Sequence, residues 1–553
     1  MAIPSPVLAS PPVGAPAVTS PEPSLFSWLV AHPWRYRGVI TGVLLAYCLL
    51  GLGGSIGGYD EAFYTTAAQE MLARRSFWTL YFAGEPRYYK PPLTMWAIMA
   101  SYTLLGESDW AARLPGALLA GVAALLVLAL AWELYHDPQI NLLALLLLLF
   151  PLTTVALTHM VQTDIYLYVG LAAGVYAWFR ARTNWRWYAL FALGLGWGLL
   201  SKSAAGLALP VWALLLALVR QEWRRLGWVV AASGVGLLLI VPYLLVNLAN
   251  DRQGFVQEAV LHEVVQRVLG GYGPAPTTLL GHLLFYPAVL LVGSLPWTPL
   301  LVIPLLQAFR SLFRREAVGE QALGWWLVLP LVTYTLIQGK LPAYIFPVTL
   351  SVVLLSVPHI RRCPGQRLLA VTAGLVLGLG LVAAGVIAPL VRFAQEPQFL
   401  WPGLVLGLGY LVLGVGALRQ LRAGRLLACR DGLLVGVAVV GLVTLATNPF
   451  NYNPDFVAFS QLALPDLPVL ALESTRPGTA AGTWLLVEHY LHRIPLLPGE
   501  VWVGSYLARL PELPPHVLAV DRFTLQEISP RLRYQLLAQG RKWRLLQVEG
   551  PAS

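Results

Sequence analysis

Apolar runs of roughly 20 residues, the length a helix needs to cross a bilayer core, recur along this 553-residue chain and are separated by short polar connections. The runs are continuous in Leu, Val, Gly and Ala and lack two-residue alternation, so they predict helices rather than barrel strands. About thirteen spans are expected from this pattern, near residues 39–56, 112–133, 140–157, 165–179, 188–200, 204–219, 227–248, 281–306, 322–338, 343–358, 368–391, 399–418 and 432–447. Two shorter patterns lie between the first two spans. Glu61–Arg75 sets Phe63, Ala67 and Met71 on one stripe, which predicts an amphipathic helix at the interface. Leu93–Leu105 is apolar but only about 20 Å long as a helix, which predicts a second interfacial element.

The two ends of the chain break this rhythm. Residues 1–34 open with a stretch rich in Pro, Ala and Ser and without a signal-peptide core, and are expected to form a disordered cytoplasmic extension. A transmembrane domain over 35–447 includes a first outer loop at 57–111. After Asn448 short alternating runs such as Trp484-Leu485-Leu486-Val487 and His516-Val517-Leu518-Ala519-Val520 predict a small outward-facing α/β domain over 448–553.

Composition agrees with the pattern. With 57% hydrophobic and 12% charged residues and a mean hydropathy of +0.65, the chain does not describe a soluble globule. Cys48, Cys363 and Cys429 lie in or beside apolar runs without metal-ligand spacing, so no disulfide framework is expected. The net charge of +10 invites a nucleic-acid reading, but its distribution opposes one. Arginines cluster in alternate connections, at Arg35/Arg37, Arg180/Arg182/Arg186, Arg220/Arg224/Arg225, Arg310/Arg314/Arg315, Arg361/Arg362/Arg367 and Arg419/Arg422/Arg425/Arg430. The positive-inside rule assigns those connections to the cytoplasm. The first loop, the loop over 249–280 and the C-terminal tail then face outward.

Against that rule, a few charges fall on the outward side. The chain has 33 arginines and four lysines, and Lys90, Lys202 and Lys340 all sit in expected outward connections. With Arg267 from the later outer loop they compose a cationic receptacle for an anionic head group, because phosphate is matched by Lys point charges and Arg forks. The alternative is that they snorkel to lipid phosphates or cap helix ends. Asp60 and Asp164 lie on the same side. Each is a candidate for binding sugar hydroxyls or acting as a base toward an acceptor, while Asp164 also suits an N-terminal helix cap.

At these positions the chain resembles a family. Tyr59-Asp60-Glu61, Ala68-Gln69-Glu70-Met71-Leu72, Gly84-Glu85-Pro86, Lys90-Pro91-Pro92-Leu93 and Ala112-Arg113-Leu114-Pro115 resemble the first outer loop of GT-C glycosyltransferases related to the lipid A aminoarabinose transferase and the protein O-mannosyltransferases. Thr163-Asp164, Leu200-Ser201-Lys202, Glu263 with Arg267, Leu295-Pro296-Trp297 and Gly339-Lys340-Leu341-Pro342-Ala343-Tyr344 extend the likeness over roughly residues 35–360. The resemblance implies a polytopic α-helical GT-C protein of the inner membrane. Its activity would be transfer of a monosaccharide, with inversion, from an undecaprenyl- or other polyprenyl-phosphate carrier to a lipid, glycan or protein acceptor on the outer face, as in lipid A modification. It implies Asp60 and Asp164 as catalytic carboxylates, Lys90, Arg267 and Tyr344 as ligands of the carrier phosphate, and Lys202 and Lys340 as phosphate ligands or structural groups. Glu61, Glu85 and Glu263 are expected to position substrate. Tyr89 stands where relatives of the aminoarabinose enzyme often carry an acid, and Val264 where they carry a His after Glu, so no metal or other cofactor is expected. A transporter or flippase of lipid-linked sugars, or a noncatalytic binder of them, is the alternative.

Overall fold

The computed structural model describes residues 24–269, 276, 278–313, 318–389, 391, 397–472, 483–491 and 501–552. Most of the extension expected over 1–34 lies outside them. From Ser24 onward the chain is already helical, in Leu25–Val30 and Pro33–Leu49.

Long apolar helices follow where the pattern put them. Among the described residues seven are long and apolar enough to cross a membrane, or eight if the bent pair Pro138–Leu149 and Leu152–His159 is one span. The remaining expected spans appear as shorter or interrupted helices. That pair turns by 68° at Pro151, where the proline removes a helical N–H and the Leu152 N–H bonds instead to the Leu295 carbonyl, 3.2 Å away. The run Trp185–Val219 counts as one helix of 35 residues by length, but it reverses at Ser203, whose φ of 45° and ψ of −125° break the helix. Gly206 folds back so closely that a Cβ there would lie 2.7 Å from the Leu199 nitrogen. The two spans expected at 188–200 and 204–219 are therefore separate helices, Tyr188–Lys202 and Ala208–Val219.

Charge sorts onto the two ends of the bundle. At one end Arg430 pairs with Asp431 and reaches the Ile360 and Arg361 carbonyls, Arg361 pairs with Asp137 at 3.1 Å, and Arg180 pairs with Glu133 at 2.8 Å. These contacts satisfy helix-end groups and tie together connections that carry the arginine clusters.

The other end carries the first loop. Its helix, Tyr59–Arg74, starts after an extended Gly58 and stops at a left-handed Arg75. Phe63, Ala67 and Met71 are buried, as their spacing predicts, but against protein. They pack on Met95, Ile98 and Met99 of the Leu93–Leu105 helix and share one core with Leu486, Val517 and Trp543 of the C-terminal domain. Between the two loop helices a tight hairpin joins β1 (Leu80–Phe82) to β2 (Glu85–Arg87), turning on Ala83 and Gly84, both at positive φ.

The C-terminal domain contains the expected sheet. Its strands are β3 (Val469–Ala471), β4 (His516–Asp521), β5 (Leu532–Gln539) and β6 (Trp543–Pro551), ordered β3-β4-β6-β5. β3 and β4 are parallel, and the other pairs antiparallel. The stretch Leu532–Gln539 has a locally helical spacing but forms β5, paired antiparallel with β6 from Leu532 opposite Pro551 to Gln539 opposite Arg544, and that pairing overrides the local period.

Candidate active site

A cavity of about 560 Å³ opens at the loop end of the bundle. Asp60 and Tyr64 enter it from the Tyr59–Arg74 helix, Lys90 from the segment after β2, Asp164 from the first turn of the Thr163–Arg180 helix, and Lys202 from the turn at Ser203. Glu263 and Tyr344 also line it. The opposite flank is apolar and includes Val211, Val268, Leu329 and Ile337, of which Val211 and Val268 are exposed on the surface of the bundle. A charged end joined to an apolar flank open to the side suits a ligand with an anionic head and a hydrocarbon tail.

Four of the cavity charges are held in two pairs. Lys202 Nζ lies 2.7 Å from Asp164 Oδ1 and 5.1 Å from the ring centre of Tyr344. Lys90 Nζ lies 2.5 Å from Glu263 Oε2. The second pair depends on an unusual element, a π-helical run over Val256–Gln266. Its i→i+5 bonding brings residues five apart onto one side. Glu258 and Glu263 are so related, and both reach the chain after the hairpin. Glu258 accepts the Tyr88 N–H at 2.7 Å and lies 3.5 Å from Arg87. Asp60 is exposed in the first turn of its helix, where the helix dipole favours negative charge. One turn later, burial pushes the phenol of Tyr64 well above its usual range, and the charges of Asp60 and Asp164 push it the same way. Tyr64 thus keeps its phenol proton in a cavity it shares with both carboxylates.

Asp60, Asp164, Lys90, Lys202, Glu263 and Tyr344 are brought together as the sequence suggested; three other candidates go elsewhere. Glu61, expected to position substrate, is fully buried and does not line the cavity. It accepts from Arg113 Nε at 2.7 Å and Nη2 at 2.9 Å, and from the Gly57 and Val161 N–H groups at 3.0 Å each. Because it follows Asp60 on a helix, it points about 100° away, into the bundle. Glu85 lies exposed on β2 and does not line the cavity, since it faces outward from the hairpin. Lys340, expected at the phosphate, is 1% exposed and donates to the carbonyls of Tyr334, Thr335 and Ile337 at 2.5–2.9 Å. It caps the carbonyl end of the Val318–Leu336 helix. Arg267 begins a short helical turn, Arg267–Leu269, directly after the π-helical run, and its side chain lies outside the described residues.

Two residues of this region carried no role in the sequence reading. Tyr64 sits four positions after Asp60, a spacing that puts both on one helix face. Arg113 is a cation inside a long apolar helix, Asp109–Tyr135, and such a charge calls for an internal partner. Besides Glu61 it binds the carbonyls of Gly53, Gly54 and Ser55 at 2.9–3.1 Å.

Residues 89–246 match the family model of dolichyl-phosphate-mannose-protein mannosyltransferases. The undecaprenyl phosphate-alpha-4-amino-4-deoxy-L-arabinose arabinosyl transferase 1 of Pseudomonas fluorescens is 31% identical over 350 residues, 60% of this chain and 59% of that protein. The transferase of the same name from Serratia proteamaculans is 27% identical over 422 residues, 71% of this chain and 74% of its own length. Among solved structures, ArnT of Cupriavidus metallidurans bound to undecaprenyl phosphate superposes with a TM-score of 0.70 at 19% identity, over 95% of this chain and 98% of that one. Its apo state gives 0.71. This likeness establishes the GT-C membrane fold.

Proposed function

We propose that this chain, a GT-C membrane protein resembling the lipid A aminoarabinose and protein O-mannosyl transferases, moves a monosaccharide from a polyprenyl-phosphate carrier to a lipid, glycan or protein acceptor. The observation that carries the reading is the cavity itself, where paired carboxylates and ammonium groups meet an apolar flank exposed at Val211 and Val268. An isoprenoid tail lies along that flank and its phosphate reaches the lysines. The bacterial inner membrane is the setting, with the N-terminus in the cytoplasm and the cavity and C-terminal domain on the outer face, as the arginine clusters at the far end support.

In this reading the acceptor oxygen attacks the anomeric carbon and Asp60 takes its proton. The bond from that carbon to the phosphate oxygen breaks, its electron pair leaves with the polyprenyl phosphate, and a single displacement inverts the centre. Negative charge grows on the phosphate as the bond breaks, and positive groups matched to it lower the barrier. Lys90 supplies that charge, with Lys202 and Arg267 as further cations and Tyr344 beside Lys202. Incoming phosphate competes with Glu263 for the Lys90 ammonium. Asp164 keeps Lys202 oriented and, with Tyr64, contacts sugar hydroxyls. No metal is required, because Glu263, the carboxylate next to His262, is held by Lys90.

The test is release of polyprenyl phosphate by the purified chain from a sugar carrier in the presence of acceptor, with and without EDTA. Asp60→Asn should lower turnover by about 10²-fold or more while carrier binding persists. Lys90→Ala should weaken carrier capture. Full turnover by Asp60→Asn sinks its catalytic role, and sugar-lipid crossing the bilayer without transfer favours a transporter instead.

A further inference from the structure

Asp60 follows a segment that local sequence leaves unconstrained. Gly51-Leu52-Gly53-Gly54-Ser55-Ile56-Gly57-Gly58 belongs to no helix or strand, and a run this rich in glycine loses much conformational entropy when fixed. Arg113 holds one side of it. The other side is held from beyond the membrane bundle. The Tyr490 hydroxyl accepts the Ile56 N–H at 2.7 Å and donates to Asp109 Oδ2 at 2.7 Å. Asn453 donates to the Ile56 carbonyl at 3.1 Å, and Asn451 Oδ1 accepts from the Ser55 N–H and hydroxyl at 3.0 and 2.9 Å. A Cβ at Gly57 would come within 1.9 Å of the Tyr452 ring, so the two segments are in direct contact there. Tyr490 lies on Thr483–Leu491, a helix of the C-terminal domain, and its ring stacks on Phe456.

We infer that Tyr490, supported by Asp109 and by Asn451 and Asn453, positions Asp60, so that the C-terminal domain is part of the catalytic framework. The inference rests on the transfer reading above. These side chains fix the backbone four to five residues before Asp60 without touching the cavity, so their loss should lower turnover and leave carrier binding alone. A reacting group displaced by about 1 Å loses up to about 10²-fold in rate.

The test compares the full chain with Tyr490→Phe, which keeps the ring and removes the hydroxyl. Two quantities are read: backbone hydrogen exchange across residues 52–61, and kcat and KM for the sugar carrier. Faster exchange in that segment, with kcat reduced about 10- to 100-fold and KM unchanged, supports the inference. Tyr506→Phe, which removes a hydroxyl bonded to His516 within the domain's own core, should change neither. Where Tyr490→Phe fails to fold, Asn453→Ala removes the Ile56 carbonyl bond instead. Unchanged exchange across 52–61 overturns the brace, and faster exchange with full turnover overturns its catalytic consequence. A parent chain with no transferase activity overturns the transfer reading, while the exchange measurement still decides the brace.

Discussion

Arg113 and Lys340 are both buried cations on the same chain, and their partners separate their roles. Arg113 faces a full carboxylate and several backbone carbonyls, whereas Lys340 faces carbonyls at a helix end. Removing one member of a buried ion pair leaves the other charge uncompensated, at a cost of about 3–5 kcal/mol. Arg113→Ala should therefore strand Glu61 and lower the unfolding temperature of the detergent-solubilised protein sharply. Arg113→Lys, with a point charge in place of a fork, should fall between the native chain and Arg113→Ala. An unchanged melting temperature for Arg113→Ala would remove the pair as a structural anchor. The motifs around Glu61 and Arg113 were visible in sequence, but the pairing was not, because the residues are 52 positions apart and meet only when two helices pack. Lys340 takes the helix-cap alternative rather than the phosphate: a turn motif locates the Cα, while the nearest unsatisfied carbonyls decide where a four-carbon stem sends its charge.

At the scale of elements, two irregular features build the cavity. The reversal at Ser203 presents Lys202 to Asp164, and the π-helical run presents Glu263 to Lys90. The close return at Gly206 is testable. A methyl group there would meet backbone atoms of Leu199 and Gly198 at 2.7–2.8 Å, and overpacking of this kind costs about 1–3 kcal/mol. Gly206→Ala should spread the two helices, loosen Lys202 from Asp164, and lower both thermal stability and carrier affinity. Gly378→Ala is the control, since a Cβ at that position would have nothing within 4 Å of it; wild-type-like carrier affinity in Gly206→Ala would dissociate the reversal from the site. Helix positions were readable because apolar length is set by the bilayer. What the π-helical run presents was not readable, since Glu258 and Glu263 meet their partners Arg87, Tyr88 and Lys90 only where distant segments pack.

For the whole molecule, the separation of charge between the two ends is the feature on which the proposed orientation rests. Arginine-rich connections gather at one end and the cavity, loop helices and C-terminal sheet at the other. In intact cells of a Cys363→Ser parent, a cysteine introduced at Glu107 beside the loop helices should react with a membrane-impermeant maleimide, and one at Arg422 should not; of the native cysteines Cys48 and Cys429 are buried and Cys363 is half-buried. The opposite labelling pattern would invert the proposed topology. Membrane class, approximate helix positions, the polarity of the two ends and most of the cavity's charged residues were determined by sequence alone, because hydrocarbon solvent and charge segregation act on every residue locally. Tertiary structure decided which charges line the cavity and which are consumed in holding it: Glu61 was drawn to Arg113 and Glu85 was left in solvent. It also brought the C-terminal domain onto the segment before Asp60. Those outcomes depend on contacts between residues up to several hundred positions apart, where each buried polar group takes whichever partner the packed chain brings within reach.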